Sequence, residues 1–590
     1  MSTMTLTNEL IYKSFIIGAK NVISEKNELN AINVFPVPDG DTGTNLASLM
    51  LTIIEKSKLG PTLYDTLQSI VDAAIVGARG NSGIIFASYI NGFAEGLRNP
   101  NPDLDALIQT SEKAYDYAYH AISKPVEGTM ITVMRAWAHA LKEFKKATSN
   151  AVELFLEAYE VLKEELAKTP EKLQVLKDNH VVDAGAKGFV HFIEGFIKAF
   201  KGEDVVIEEH EAVEEIHVEH LEDSQFRYCT EALIRGEDLD VDHLRDALSS
   251  YGDSLVVAGS NKTVRIHIHT DQPAEIFKYL DGKARIAEQK VDDMRRQFEA
   301  VNHKKYPIAL VTDSIADLPV EMIDHYQIHQ IPINLRMNDS DYLDKVTIQS
   351  TRFYEMMDSL KVYPTSAQPT VKSLENFFSF LTTYYKQIIV ITVSEKMSGT
   401  YNAFVEASKK FGNYDIRIIN SKQNSGAEGL LVLKAAELID QGLSIDEVTQ
   451  TIEEITPKSK ILVSVKVLKY MMRSGRLTKV SGTIAKLMHL KPVISIDEDG
   501  AGIIFSKALS TQSADKKIYE HMKDIVEKYG IESYAIVHAN ANDRAAYYEK
   551  MYTELTGQKP RYIMDISTVV AMNAGLGTVA IAYIRKDDQS

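Results

Sequence analysis

The spacing of apolar residues changes character once along this chain, and the change falls on an acidic stretch that cannot pack. From Asn8 to Phe200 apolar residues recur every three or four positions, as in Leu104, Leu107, Ile108, Tyr115, Ala118 and Tyr119, then Val152, Leu154, Phe155, Ala158, Tyr159 and Leu162. Runs of alternating β-branched residues are almost absent there. The pattern predicts an all-helical barrel or bundle of roughly eight helices over residues 1–202. Between Glu203 and Asp223 stand ten acidic residues and no Lys or Arg. Like charges at that density repel and extend a chain, so 203–224 reads as a linker. His210, His217 and His220 within it make a metal-binding tract the alternative reading.

Beyond the linker the period shortens. Strand patterns at Ser254–Val257 and Val264–His269, with a helical pattern at Val241–Ser249, predict a small α/β domain over 225–304. From Pro307 the β-branched runs Ile308–Thr312, Gln387–Val393, Ile416–Asn420, Ile461–Val465 and Tyr534–His538 alternate with amphipathic blocks. That alternation predicts βαβ units around a largely parallel sheet over 305–590. A multidomain α and α/β chain is therefore expected, and a length of 590 residues is too great for one core.

Charge narrows the function. With 65 basic and 82 acidic side chains, the formal balance is −17, which argues against nucleic acid as a partner. The single cysteine, Cys229, excludes a disulfide within the chain and fits a reducing compartment. The N-terminus shows no basic region followed by an apolar one, so the cytoplasm is the expected location. The 19 uncharged residues from Ile566 to Ile584 barely reach the length of a membrane span, and Asn573, Gly575 and Gly577 interrupt them. They read as buried strand and turn, with peripheral membrane contact or none.

The most unusual chemistry lies in Asn33-Val-Phe-Pro-Val-Pro-Asp39-Gly40-Asp41-Thr42-Gly43-Thr44-Asn45-Leu46. Prolines fix the approach, and glycines permit turns that aim Asp39 and Asp41 at one point. Mg²⁺ is commonly held by one or two carboxylates plus substrate phosphates. A bare Asp-Gly-Asp is equally a simple connecting turn. Further along, Gly77-Ala-Arg79-Gly80-Asn81-Ser82-Gly83 opens an apolar helix, a place where phosphate binds. Neither segment fits the Walker pattern.

These segments, with Glu127-Gly-Thr129-Met130 and Val182-Asp183-Ala-Gly185-Ala-Lys187-Gly188, resemble the ATP-binding domain shared by dihydroxyacetone kinases and bacterial fatty acid kinase catalytic subunits. The resemblance implies that Asp39 and Asp41 hold two Mg²⁺ ions. It also implies that Gly80, Asn81, Ser82 and Gly83 contact the ATP phosphates, with Asn33, Thr42, Asn45, Thr129, Met130 and Asp183 near the nucleotide. Dihydroxyacetone kinases have a third aspartate upstream, where this chain offers Asn30 and Asn33.

A second constellation is Cys229 with His267-Ile268-His269. Alternation along a strand puts both imidazoles on one face, and a thiolate with two imidazoles suits tetrahedral zinc. From spacing alone, Cys229 is as well explained as a small buried hydrophobe and the histidines as facing solvent or substrate. Cys229-Thr-Glu231 and His267-Ile-His269-Thr-Asp271 resemble the middle domain of the fatty acid kinase catalytic chain, which implies a structural zinc site. Its fourth ligand is Glu231 or water.

The C-terminal region gathers hydroxyls at the carboxyl ends of strands, in Val311-Thr-Asp-Ser314, Ser366-Ala-Gln-Pro-Thr370 and Val393-Ser-Glu-Lys-Met-Ser398-Gly-Thr-Tyr401. Such ends bind ligands in open α/β sheets. Ordinary helix caps are the alternative. With Leu468–Leu477 and Leu490–Ile494, these segments resemble the two-subdomain α/β fold of the DegV family of fatty acid binding proteins. The resemblance implies that Ser366 and Ser398 bind a fatty acid carboxylate, with Arg476 as a nearby positive charge. Two departures stand out. Ser366-Ala367 replaces a Thr-Ser pair, and Asn573 replaces a carboxylate-side histidine, for which His538 is not an obvious substitute.

Together these resemblances imply an ATP- and Mg²⁺-dependent kinase that phosphorylates a long-chain fatty acid carried by the same chain, as a homodimer. A separate fatty acid carrier and an acyltransferase that consumes acyl phosphate are the further partners. A lipid-binding protein with a degraded kinase domain is the alternative.

Overall fold

The computed structural model describes residues 7–35, 40–99, 102–146, 148, 150–205, 225–357, 359–360, 362–473, 476 and 490–587. The acidic stretch read as a linker lies outside these from residue 206 to 224. The chain divides into two compact units, the first ending at Asn302 and the second beginning at His303.

The first unit opens with α1 (Asn8–Ser24), α2 (Lys26–Ala31), α3 (Thr42–Lys56), α4 (Leu63–Gly77), α5 (Gly80–Gly96), α6 (Leu104–Ala121), α7 (Met130–Phe144) and α8 (Ala151–Ala167). The short α9 (Thr169–Lys172) and α10 (Gln174–Asp178) lead to α11 (Ala184–Phe200). Eight of these have at least 15 residues, as the three-to-four spacing requires. The fully buried α5 stripe includes Phe86, whose ring meets Phe192 of α11 edge-on at 5.0 Å, and Phe15 of α1 meets Phe93 at 5.4 Å. Edge-to-face aromatic pairs of this kind fix helix positions as well as bury area.

The middle region forms an antiparallel sheet, ordered β2-β3-β1-β4, from β1 (Tyr228–Arg235), β2 (Asp253–Gly259), β3 (Thr263–Thr270) and β4 (Arg285–Asp293). One sheet face completes the helical core: Leu233, Val256 and Ala258 belong to the same apolar cluster as Phe15 and Phe86. Ser123 N–H donates to Leu255 O at 3.1 Å, and Arg265 reaches the Val76 carbonyl at 3.1 Å. Helical and middle regions thus share one core.

The second unit contains a parallel sheet, ordered β11-β10-β5-β6, from β5 (Ile308–Asp313), β6 (His329–Ile331), β10 (Gln387–Thr392) and β11 (Asp415–Asn420). Beside it a three-stranded sheet joins β7 (Asn334–Met337), β8 (Ser340–Leu343) and β9 (Thr365–Ala367). A six-stranded sheet follows, ordered β14-β13-β12-β17-β15-β16, built from β12 (Ser459–Ser464), β13 (Val493–Ile496), β14 (Gly502–Ser506), β15 (Ile531–His538), β16 (Ile563–Asp565) and β17 (Val579–Arg585). The helix Ser425–Asp440 packs against strands of both larger sheets and is apolar nearly all round, as a helix buried on every side must be.

The expectation of one largely parallel sheet holds only for the first of these. In the six-stranded sheet every pair except β15 with β16 is antiparallel, because β17 returns from the C-terminus between β12 and β15. The uncharged run Ile566–Ile584 also differs from its reading as strand and turn, since Thr568–Ala574 is helical. Ser567 caps that helix through Val570 N–H at 3.3 Å, and Gly575 ends it at φ +79° against the Tyr470 ring. Among the described residues no helix is long and apolar enough to cross a membrane.

Close packing at the start of α3 yields a stability prediction. A Cβ on Gly43 would run into the Lys26 carbonyl and the Asn30 side chain, whereas Gly412 has open space around it. Gly43→Ala should therefore lower stability by about 1–3 kcal/mol, and Gly412→Ala should stay within about 0.5 kcal/mol of the parent. Thermal unfolding of the two variants checks this.

Candidate functional site

The start of α3 is held from behind. The Asn30 amide donates to Thr44 Oγ1 at 3.0 Å while its oxygen accepts Thr44 N–H at 2.9 Å, and the Thr42 hydroxyl donates to the buried Asn33 side-chain oxygen. Both amides therefore brace the first turn of α3, with their oxygens already engaged. Asp41 precedes that turn and is half-buried. Asp39 lies outside the described residues.

The two glycine-bearing turns meet. Gly80 adopts φ +57°, and any side chain there would overlap the Asn45 amide, so the Asp41–Asn45 turn rests directly on the first residue of α5. Gly83 sits against the Asn45 carbonyl. The Asn81 side-chain oxygen is buried with no hydrogen-bond partner, an orphan that a bound group would satisfy. On α11, Asp183 caps the helix through Ala186 N–H at 2.7 Å, and Gly185 packs against Met130. Gly188 of α11 touches Leu46 of α3, so the Asp183 end of α11 lies alongside the Asp41 turn. Thr129 precedes α7, its hydroxyl donating to Val126 O at 2.8 Å. Glu127 is clamped by Arg135 at 2.6 and 2.7 Å, and this pairing holds its carboxyl below the usual range. Burial pushes the Asp183 carboxyl up to about 7, against the opposing pull of its backbone hydrogen bonds.

The middle sheet presents its polar half to this region. Register places Cys229, Glu231 and Leu233 of β1 opposite His269, His267 and Arg265 of β3, and opposite Asp292, Lys290 and Glu288 of β4. Directly opposed residues share a face. Glu231 accepts Gly80 N–H at 2.7 Å, so the first N–H of α5, expected to serve phosphate, is taken by a carboxylate of the sheet. Arg79 pairs with Glu288 at 3.1 Å. The Asp41 carboxylate stands near enough to Cys229 to act on its thiol.

Cys229, His267 and His269 bring their ligand atoms within 4.8 Å of one another. Cys229 Sγ lies 3.9 Å from His267 Nδ1, and the imidazole centres are 5.1 Å apart. His267 is 4% exposed, and its Nε2 is buried without a partner. Asp253 stands 3.6 Å from His269 Nδ1, the place from which a carboxylate orients a metal-bound imidazole. Burial, then the Asp292 and Glu231 charges, raises the Cys229 thiol well above its ordinary value; burial, then His267, lowers His269 to about 3. Burial alone would raise Glu231, but His267, Lys290 and the Gly80 N–H outweigh it and bring the carboxyl down to about 2. A half-buried thiol beside two imidazoles, one with an orphaned nitrogen, is a donor set that can coordinate a metal. Glu231 sits beside this set, 3.5 Å from His267, and is committed to Gly80.

In the second unit, Arg476 gathers the expected ligand residues. Its guanidinium donates to Ser366 Oγ at 3.1 Å, Met397 O at 3.1 Å and Asn573 Oδ1 at 3.2 Å. Asn573 is fixed in turn by donating to Val569 O at 2.7 Å. Ser398 Oγ lies 2.8 Å from Thr400 Oγ1, and Gly399 presses against Gln368. His538 stands at the end of β15, where its Nδ1 accepts Ala541 N–H at 3.3 Å.

Sequence reasoning passed over the buried acids beneath this site. Asp317 accepts Ser567 N–H at 2.8 Å and Ser425 Oγ at 2.5 Å, and Asp344 accepts Thr568 N–H and Ser314 Oγ at 2.8 and 2.7 Å. Lys345 lies 3.3 Å from Asp317. Asp313 and Asp344 are pushed by burial to about 6, and burial also raises Glu428, whose two oxygens find no partner. Single acids between apolar residues carry no spacing signal; only the fold brings them together.

Comparison with known proteins matches each region. Residues 36–198 match the DAK2 domain, 225–301 the middle domain of A-like fatty acid kinase subunits, and 307–586 the DegV family, whose members are described as uncharacterised. The domain order is that of a fatty-acid-kinase-like catalytic chain joined to a DegV domain. An uncharacterized protein of Staphylococcus aureus (strain USA300) is 34% identical over 316 residues, covering 51% of this chain and 58% of the relative. One from Staphylococcus saprophyticus is 33% identical, covering 51% and 57%. The chain thus spans little more than half the length of these curated relatives. Among solved structures, DegV from Bacillus subtilis, a fatty acid binding protein, is 28% identical with a TM-score of 0.45, covering 48% of this chain and all of that one. A fatty acid binding DegV family protein from Streptococcus agalactiae is 23% identical with a TM-score of 0.44, covering 48% and 99%.

Asp183 gives a pH prediction. Its carboxyl is protonated in the folded state up to about pH 7 and ionised in the unfolded chain above about pH 4. The stability it contributes is full at low pH and lost as the pH rises through 7. Asp183→Asn keeps a capping side chain. Between pH 5 and 7 wild-type stability should fall more steeply than that of the variant, by up to about 1.4 kcal/mol per pH unit. Urea unfolding of both proteins across that range measures the difference.

Proposed function

We propose that this chain is an ATP- and Mg²⁺-dependent kinase that transfers the terminal phosphoryl group of ATP to the carboxylate of a long-chain fatty acid held by its DegV-like domain. The observation that carries the proposal is the meeting of the Asp41–Asn45 turn with Gly80, under a sheet face bearing Cys229, His267 and His269. The matches to a DAK2 domain and to the fatty acid kinase middle domain support a phosphotransferase. The DegV match over 307–586 supports a lipid-carrying partner domain in the same chain.

The donors fit the implied groups. Asp41, with Asp39, offers carboxylate oxygens for Mg²⁺, which when bound would neutralise phosphate charge and align the leaving oxygen. Asn81 and Ser82 open α5 toward the phosphates, and Met130, Thr129 and Asp183 border the nucleotide. Cys229, His267 and His269 would hold a zinc ion, with the fourth position left to water because Glu231 is committed to Gly80.

Chemically the acceptor needs no base. A fatty acid carboxylate, with a solution pKa between about 4 and 5, is already ionised at neutral pH. Its oxygen attacks phosphorus in line, the new carboxyl O–P bond forms as the bond to the β-phosphate oxygen breaks, and ADP leaves. The chain's task is placement. Ser366 and Ser398 would orient the carboxylate, and Arg476, already bound to Ser366 and Asn573, would fix their geometry. Fatty acid supply by a separate carrier, use of the product by an acyltransferase, and dimerisation belong to the same reading, and the single cysteine suits a cytoplasmic setting.

The direct test is ATP turnover with and without fatty acid. Wild type should produce acyl phosphate, and Asp41→Ala should lose at least about a hundredfold of the rate while keeping its unfolding temperature. Turnover in folded Asp41→Ala equal to wild type would reject the assignment. Zinc is tested separately: protein purified without added metal should carry about one ion per chain, and His267→Ala combined with His269→Ala should remove it.

A further inference from the structure

The polar half of the middle sheet is strongly acidic, with Glu231, Asp253 and Asp292 in register around the cysteine and histidines, and the Asp41 charge adding to the push on the Cys229 thiol. A phosphoryl group brought there needs positive charge facing it, from the metals of the kinase reading and from basic side chains. Two arginines beside that face, Arg79 just before α5 and Arg265 on β3, are committed. Arg79 donates to the Val76 and Ala78 carbonyls and to Glu288, and Arg265, 2% exposed, donates to Val76 O and pairs with Glu288. Lys290 differs. It sits opposite Glu231 in register, its side chain is 58% exposed, and its ammonium lies 2.6 Å from Asp292. Its charge reaches both Cys229 and Glu231, the residue that holds the first N–H of α5.

We propose that Lys290 is a phosphoryl-binding residue, contributed by the middle sheet to the nucleotide site and parked on Asp292 when no phosphate is present. The proposal rests on the kinase reading above. The Lys290 side of this ion pair is open to solvent, and a pair so placed is exchangeable. A phosphate oxygen, dianionic and multiply accepting, is the stronger partner for an ammonium at short range. Lys290 is therefore held within reach of the transferred group without being locked away from it. A lysine serving only the metal site would show a different dependence: its loss would disturb the bound metal and not discriminate between ligands with and without phosphates.

The experiment uses the full chain. Calorimetry compares wild type, Lys290→Met and Lys290→Arg for binding of MgATP and of adenosine, with zinc content and unfolding temperature recorded for each. Lys290→Met should weaken MgATP on the order of ten- to a hundredfold, leave adenosine unchanged, and retain metal and unfolding temperature, while Lys290→Arg should recover part of the loss. MgATP binding equal to wild type in folded Lys290→Met overturns the proposal. So does a parallel loss of adenosine, or a loss that tracks departure of the metal. If wild type itself fails to bind MgATP, the kinase reading falls and this proposal with it; if only Lys290→Met is silent on MgATP affinity, the kinase reading stands alone.

Discussion

The hydrogen bond from Gly80 N–H to Glu231 joins the two halves of the first unit at the point where their chemistry converges. It works because each side has made room for it. Gly80 has no side chain and a positive φ, which lets the Asn45 amide and the Glu231 carboxylate approach the same residue from different directions. The carboxylate is 3% exposed, and such a group is tolerable only when donors or cations face it. Gly80, His267 and Lys290 do so. Beneath this bond, Leu233, Val256 and Ala258 enter the helical core, so apolar packing fixes the sheet and the polar contact sets its alignment over α5.

Periodicity carried the first unit well. Leu104, Leu107 and Ile108 recur at helical spacing and fall on the helix they imply, and His267-Ile-His269 alternates as the strand requires. What spacing could not convey was the pairing between strands. Lys290 and Asp292 lie in a polar segment without a clear strand alternation, and only the register of β4 against β1 shows that they face Glu231 and Cys229. The same holds for the C-terminal sheet. A β-branched run announces a strand but not its direction, and the return of β17 between β12 and β15 turned the expected parallel arrangement antiparallel. Asn30 and Asn33 were legible as neighbours of the carboxylate turn. That their oxygens would be occupied by Thr44 and Thr42 depended on how tightly α2 packs at Gly43.

The second unit shows a different economy of polar groups. Arg476 is largely buried, yet the acceptors it reaches at Ser366, Met397 and Asn573 come from three separate stretches of chain. A planar guanidinium with five donors suits such a junction, because one group satisfies several acceptors at once. Asn573 suits this junction: the amide accepts from Arg476 and donates to Val569 O at the same time.

The helix Thr568–Ala574, which carries Asn573, begins at two buried carboxylates, with Ser567 and Thr568 N–H groups donating to Asp317 and Asp344. These acids belong to loops following β5 and β8, far away in sequence. The anchorage is therefore angular as well as attractive: two short bonds from consecutive amides define a direction, and the helix axis follows it. Apolar contacts alone would let a seven-residue helix roll by a fraction of a turn at little cost. Two carboxyl anchors at its first turn remove that freedom, so the side chain of Asn573 arrives beside Arg476 by construction, much as a bracket fixed at two points cannot swing.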